Sequence, residues 1–298
     1  MSPPEIVLSA SRRTDIPAFY LDWFMDSIDR GRFDITHPFT RKPRQVLVNP
    51  ETSRTIVFWS KNFGPFLEKN AGKGLQRMGY NLFFNFTVNS ASRLLEPGMP
   101  KLTDRLAQLE KLAGEFGPGA VAWRFDPICA YRLPTGEVQN NLGDFERIAR
   151  TAASAGITRC VTSFLDPYRK IDRRIRYLSK AGEACPDFIS LTLEEKTRIL
   201  KNMAAALAPE KISLNLCCER ELFSALPDES GIRENACIDG PHLEALFGGS
   251  PDRRKDTGQR AAKGCRCTRS VDIGSYDLHP CPHNCLFCYA NPEIDSQV

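Results

Sequence analysis

Three cysteines late in the chain have the type and spacing for metal chemistry. Residues 281–288 read Cys281-Pro282-His283-Asn284-Cys285-Leu286-Phe287-Cys288. Three thiolates on one tight loop can ligate three irons of a four-iron cluster and leave the fourth iron open. An open iron takes a ligand that the protein does not supply. Five of the 11 cysteines fall between Cys265 and Cys288, where even scatter over 298 residues would place about one. The number is odd and the chain is far longer than a small disulfide scaffold. Such clustering reads as metal ligands in a reducing compartment rather than as disulfides.

A second set stands nearby. Cys265 and Cys267 lie just upstream, Cys237 precedes Ile238-Asp239, and Cys218 precedes Glu219, with Cys217 able to stand in for it. Four such thiolates suit an auxiliary cluster or a tetrahedral zinc. A plainer reading makes Cys265 or Cys267 the fourth ligand of the first cluster, which closes the open iron and leaves only structure or electron transfer. Cys129 and Cys160 read as core thiols, and Cys185 also stands singly. His279 and His283 could complete a zinc site, although Cys-x3-Cys-x2-Cys is not a usual zinc-finger spacing. His37 precedes Pro38 and reads as a turn residue. His242 follows Pro241 and reads as a helix start.

The elements that must hold these residues show in the apolar pattern. Short runs end in polar residues: Ile6-Val7-Leu8, Val46-Leu47-Val48, Ile56-Val57-Phe58-Trp59, Leu82-Phe83-Phe84, Ala120-Val121-Ala122-Trp123, Cys160-Val161-Thr162 and Ile212 to Leu216. Runs of this kind read as buried strands. Between several of them lie helical patterns: Leu102, Leu106, Leu109, Ala113 and Phe116; Phe145, Ile148, Ala149 and Ala152; and a Thr192/Glu195 capping box before Ile199, Met203 and Leu207. The alternation predicts an α/β fold, a TIM-like (β/α) barrel, closed or partial, over residues 1–248. Residues 249–298 are predicted to form a cysteine-rich metal-binding tail that packs over the barrel mouth.

Active sites of such barrels sit at the C-terminal strand ends. The polar residues placed there include Arg12, Arg13, Asp15, Lys61, Thr87, Asn89, Arg124, Asp126, Asp166 and Glu219. Arg124, Asp126 and Lys61 are the catalytic candidates; Asn89, Thr87, Arg12 and Arg13 are the cofactor-binding ones. Helix capping and loop solvation are the plain alternatives for each.

The net charge is +4 and hydrophobic residues make up 42% of the chain. That balance does not by itself imply a nucleic-acid partner. No apolar run reaches the ~18 residues of a membrane span. The first residues lack a signal-peptide pattern, so a cytoplasmic protein is expected. Arg169, Lys170, Arg173, Arg174 and Arg176 form one basic run, and Arg253, Arg254 and Lys255 another. Both read as solvated faces, or as contacts for an anionic substrate.

Cys-x3-Cys-x-aromatic-Cys, followed by Tyr289-Ala290, resembles the signature of the radical S-adenosylmethionine enzymes and their spore photoproduct lyase branch. Phe58 to Asn62, Phe86 to Asn89, Leu95 to Pro100 and Trp123 to Pro127 are similar to strand-end segments of that branch. Most of the chain also resembles a bacterial domain-of-unknown-function family with a C-terminal cluster of this kind. The resemblance implies a [4Fe-4S] cluster on Cys281, Cys285 and Cys288, with S-adenosyl-L-methionine on the open iron. Its reductive cleavage would yield a 5′-deoxyadenosyl radical, with electrons from an external donor such as ferredoxin or flavodoxin. A small-molecule or nucleotide-like substrate follows, and the likeness to a DNA-repair branch keeps nucleic acid open. Here the motif lies at the far end of the chain, whereas the family carries it after the first strand. The Gly-Gly-Glu segment is missing, since Gly248-Gly249-Ser250 stands in another context. Two other expectations fit the same cysteines: an iron–sulfur protein without S-adenosylmethionine, and a zinc-stabilised barrel.

Overall fold

The computed structural model describes residues 4–36, 40, 42–227 and 230–290. Eight strands make one sheet: β1 (Val7–Ala10), β2 (Thr55–Ser60), β3 (Asn81–Thr87), β4 (Val121–Ile128), β5 (Arg159–Phe164), β6 (Ser213–Leu216), β7 (Arg233–Glu234) and β8 (Val271–Asp272). Their order across the sheet is β7-β6-β5-β4-β3-β2-β1-β8, and each pair is parallel. The fold is therefore α/β with a large parallel sheet. Strands follow one another in barrel order, and β7 and β8 form its two edges. The segments beside those edges meet outside the strands: Thr268 N–H donates to Ile238 O (2.9 Å) and Gly240 N–H to Thr268 Oγ1 (3.0 Å).

Alternation along each strand explains the two faces. Leu8, Ile56, Phe58, Phe84, Trp123 and Phe125 point one way and pack with Leu109, Ile148 and Met203 from the helices Leu102–Phe116, Phe145–Ser154 and Leu193–Leu207. The intervening Val7, Val57, Phe83, Ala122 and Val161, one from each of five adjacent strands, form a separate apolar layer with Leu243 of helix Gly240–Phe247. Cys217, Cys237, Cys265 and Cys267 belong to this second layer.

All three sequence-predicted helices form, and Thr192 and Glu195 make the reciprocal capping box. The Val46-Leu47-Val48 run departs from expectation. It belongs to Pro43–Leu47, which pairs antiparallel with Arg32–Thr36 outside the main sheet. Its exposed Leu47 shows why: only alternate residues find a buried face there. Residues beyond 248 are not simply an appendage, because β8 lies parallel beside β1. His37 and Pro38 lie outside the described residues. No helix among the described residues is long and apolar enough to cross a membrane.

Candidate metal centres and a polar pocket

The Cys281–Cys288 loop is seated by both polar and apolar contacts. Gly98 N–H donates to His283 O (3.1 Å) and Leu286 N–H to Leu95 O (2.9 Å). His283 Nε2 lies 2.8 Å from Asp15 Oδ2, and the same carboxylate oxygen accepts from Lys61 N–H at 2.8 Å. Asp15 thus ties the turn after β1 and the end of β2 to the cysteine loop. His279 packs edge-on against Tyr20 and near Trp23, while Tyr20 Oη donates to Pro280 O. Phe287 and Cys285 sit in a small apolar cluster with Leu95, Cys129 and Tyr131. Burying Leu286 and Phe287 contributes about 1.5–3 kcal/mol each, so the loop borrows a core that it lacks itself.

Cations gather round these thiols. Lys61 Nζ pairs with the buried Glu96 at 2.6 Å and faces the Phe287 ring at 5.3 Å. Glu96 Oε1 in turn lies 3.7 Å from Cys285 Sγ. Arg174, buried on the helix Arg169–Lys180, donates to Leu286 O and to Cys288 O at 3.1 Å each. The buried Arg105 also feels the charges of Glu96 and Cys285. Burial, with Asp15 beside it, pushes the Cys281 thiol up to about 12, and burial with Glu96 pushes Cys285 well up. Both shifts favour the thiol over the thiolate, so metal binding there would release protons. His283 Nδ1 is buried without a hydrogen-bond partner. Three thiols ringed by Lys61, Arg105 and Arg174 suit an anionic thiolate-held cluster.

Beside the loop, at the C-terminal ends of β3, β4 and β5, lies a cavity of about 150 Å3. Lys61, Thr87, Asp126, Ser163, Asp166, Phe287 and Cys288 are among its walls. Asp126 accepts from Ser163 Oγ and pairs with Arg124 Nη2 at 2.5 Å. Burial raises the Asp126 carboxyl, but Arg124 and Ser163 more than reverse that and hold it below the usual carboxylate range. Asp166 is paired with Arg260 (2.7 Å) and Lys263, which reach across the mouth from the cysteine-rich segment. A larger recess of about 450 Å3 lies between Val138–Asn140 and helix Leu193–Leu207, and none of the cysteines lines it.

The second cysteine set converges at the edges of the sheet. Cys217 Sγ lies 3.3 Å from Cys237 Sγ and 3.7 Å from Cys218 Sγ. Cys237 also contacts Cys267, Cys267 contacts Cys265, and Cys265 contacts Cys218, which closes a ring of five thiols. Arg124 Nη1 donates to Cys237 Sγ at 2.8 Å. Contact with Cys237 and Cys265, aided by Arg12, holds Cys267 well below the usual thiol range, while contact with Cys217 and Cys267 holds Cys237 well above it. Arg12 and Arg124 flank the Trp59 ring at 5.1 and 5.4 Å. Arg12 Nη2 is buried with no hydrogen-bond partner. Among the described residues, no group of three or more His, Cys, Asp or Glu side chains is arranged to hold a metal ion.

The sequence-derived candidates divide accordingly. Lys61, Thr87 and Asp126 line the cavity, and Arg124 stands behind Asp126. Arg12 faces the five-thiol ring instead. Arg13 Nη1 is spent on Gly274 O, and the Asn89 side chain makes two bonds to the Asp126 backbone, so neither lines the cavity. Glu219 accepts from Phe164 N–H at the end of β5. Cys129 and Cys160 are buried, as their isolation suggested. Two residues escaped the sequence reading. Arg174 looked like part of a solvated run, yet it lies three residues after the buried Ile171 on one helix face. Glu96 lies within a loop segment that carried no charge signal of its own.

Fold and site together define an α/β protein with a large parallel sheet, one cysteine group in the wall of a polar cavity and a second group beside the sheet edges. The chain belongs to the family described as "Domain of unknown function (DUF1848)", whose model matches residues 7–290. No curated protein matches it significantly. Among solved structures it is similar to a D-hydantoinase (TM-score 0.30, 13% identity, 86% of this chain and 68% of that one). It is also similar to dihydropyrimidinase from Brevibacillus agri NCHU1002 (0.30, 11%, 74% and 56%). A third likeness is the carboxyl transferase domain of Rhizobium etli pyruvate carboxylase (0.27, 11%, 89% and 45%). Superpositions this loose carry nothing about function.

Proposed function

We propose that this protein is an iron–sulfur enzyme of the radical S-adenosylmethionine type, built on a barrel-like (β/α) frame. The observation that carries the reading is the placement of Cys288 in the wall of the polar cavity at the C-terminal strand ends, beside Lys61 and Asp126. Cys281, Cys285 and Cys288 would hold a [4Fe-4S] cluster and leave one iron open. When bound, such a cluster supplies the reductive cleavage of S-adenosyl-L-methionine.

The chain's own residues do the rest. Lys61, Arg105 and Arg174 offset the negative charge at the thiolates. Asp126, fixed by Arg124, Ser163 and the Asn89 amide, presents an ionised carboxylate to hydroxyl or amino groups of whatever enters. Lys61 and Arg260 can meet a carboxylate. Phe287 and Tyr168 exclude water from the cavity, which protects a reactive species from quenching. At about 150 Å3 the cavity is smaller than a common ligand site, which spans roughly 300–1,000 Å3. Cofactor and substrate therefore enter only if a wall moves. Arg260, a wall residue whose side chain is 42% exposed, is free to swing aside.

Anaerobic reconstitution with iron and sulfide, followed by spin-resonance spectra of the reduced protein with and without S-adenosylmethionine, tests this. The expected result is about four irons that are lost from the Cys281→Ala, Cys285→Ala, Cys288→Ala variant, and a spectrum altered by S-adenosylmethionine. Iron and sulfide with no spectral response would leave an iron–sulfur protein without that cofactor. Stoichiometric zinc without sulfide would defeat both.

A further inference from the structure

We infer that the ring of Cys217, Cys218, Cys237, Cys265 and Cys267 is a second metal centre, a buried thiolate-held site that cross-links the two unpaired edges of the sheet. The five thiols come from three places distant in sequence: just after β6, just after β7 and just before β8. Those are the segments on either side of the gap between the edge strands, where Thr268 bonds to Ile238 and Gly240 and Ile238 N–H meets Cys267 Sγ at 3.5 Å. A metal group held by all three segments would join what strand pairing does not. Ligand binding in such a place is folding free energy for the segment it orders.

Charge argues for an anionic occupant. A [4Fe-4S] core on four thiolates carries about two negative charges when oxidised. Two buried cations face the ring: Arg124, on Cys237 at 2.8 Å, and Arg12, whose Nη2 has no hydrogen-bond partner. Backbone strain argues the same way. Cys218 adopts φ of 60°, a left-handed conformation that costs a non-glycine residue about 1–2 kcal/mol. That turn brings the Cys218 thiol into contact with Cys217 and Cys265.

Charge admits zinc equally, because a four-thiolate zinc carries the same net charge. Tetrahedral zinc with bonds of about 2.3 Å sets its sulfurs about 3.8 Å apart, near the 3.3 and 3.7 Å that separate Cys217 from Cys237 and Cys218. Thiolates on a four-iron core stand farther apart, so the ring would open to take one. The count of metal and sulfide decides between the two.

The site is independent of the Cys281–Cys288 loop, so one experiment separates the two. Iron, zinc and acid-labile sulfide are counted after anaerobic reconstitution in wild type, in the Cys281→Ala, Cys285→Ala, Cys288→Ala variant, and in Cys237→Ser, Cys267→Ser. The expectation is a metal group that the triple variant keeps and the ring variant loses: about four irons with four sulfides, or one zinc without sulfide. If wild type holds about four and the triple variant none, this inference falls while the proposed function stands. If wild type and triple variant both hold about four and the ring variant none, the ring stands and the proposed function falls. One zinc per chain and no sulfide in the triple variant, absent from the ring variant, upholds the ring as a metal centre and makes the metal zinc; no metal in the triple variant overturns the inference. Should the ring variant fail to fold, wild type and triple variant decide alone, because the triple variant keeps every ring thiol.

Discussion

Replacing Gly98 with Ala should unseat the cysteine loop. A Cβ on Gly98 would lie 2.7 Å from His283 O, 2.9 Å from its Cα and 3.0 Å from its carbonyl carbon. All three are backbone atoms, so no flexible side chain can swing aside. Ordinary carbon contacts have their optimum at about 3.5–4.0 Å, and the loop must therefore retreat by several tenths of an ångström or more. Forced overpacking of this kind costs about 1–3 kcal/mol. The Gly98 N–H to His283 O bond, 3.1 Å long, would be stretched or broken, which adds about 0.5–1.5 kcal/mol. The combined loss is about 2–4 kcal/mol. At ~2.1 cal/mol/K per residue, a chain of 298 residues should melt about 3–7 °C lower. The assay is a thermal melt of metal-free protein, paired with iron content after reconstitution. Gly114→Ala is the control, since a Cβ there meets nothing within 4 Å and should stabilise helix Leu102–Phe116 by about 0.4–1 kcal/mol. A Gly98→Ala protein with an unchanged melt and full iron content would refute the packing argument.

Arg174→Met keeps the packing volume but removes the donor to Leu286 O and Cys288 O. If the loss is about 1.4–2.8 kcal/mol, alkylation of Cys285 in metal-free protein should speed up about 10- to 100-fold, read by mass spectrometry against time; an unchanged rate would show the contacts to be idle. Asp126→Asn should cost about 2–3 kcal/mol at pH 7, less than the 3–5 of a fully buried pair, because the Asp126 side chain is 23% exposed. The folded carboxyl lies below its unfolded value, so its contribution is complete above about pH 4 and fades as pH falls through the folded value. Urea midpoints of wild type and Asp126→Asn should therefore converge in acid, and parallel curves would contradict the assignment. Lys61→Met leaves Glu96 buried without its cation and should destabilise by about 3–5 kcal/mol, whereas Lys61→Met with Glu96→Gln should recover most of that in the same melt.

What the sequence shows and what it hides follows from where the signal lives. β1 to β6 announce themselves because both faces are buried, and that needs a continuous apolar run such as Ile56-Val57-Phe58, with Ile56 and Phe58 on one face and Val57 on the other. β7 and β8 have two residues each and no apolar run, so nothing in Arg233-Glu234 or Val271-Asp272 marks a strand. The three helices show because their buried stripes have helical period. Spacing alone also pointed to Cys218, Cys237, Cys265 and Cys267 as one group, with Cys217 only as a stand-in; the fold makes it the member in contact with both Cys218 and Cys237. The roles of Asn89 and Arg13 were not legible, because a strand-end polar residue looks the same whether it faces a cavity or braces a backbone. Arg174 was hidden by its neighbours: four other basic residues within the run 169–176 masked the one that turns inward.

The position of β8 also sets a timetable. β1 is made at the start of the chain, yet its neighbour on one side arrives only when residues 271 and 272 emerge; Ser11 and Asp272 bond across 261 residues. At ~5–20 residues per second, that leaves roughly 13–52 s during which one edge of the nascent sheet stays open. Until then the open edge of β1 is where a chaperone would have most to protect.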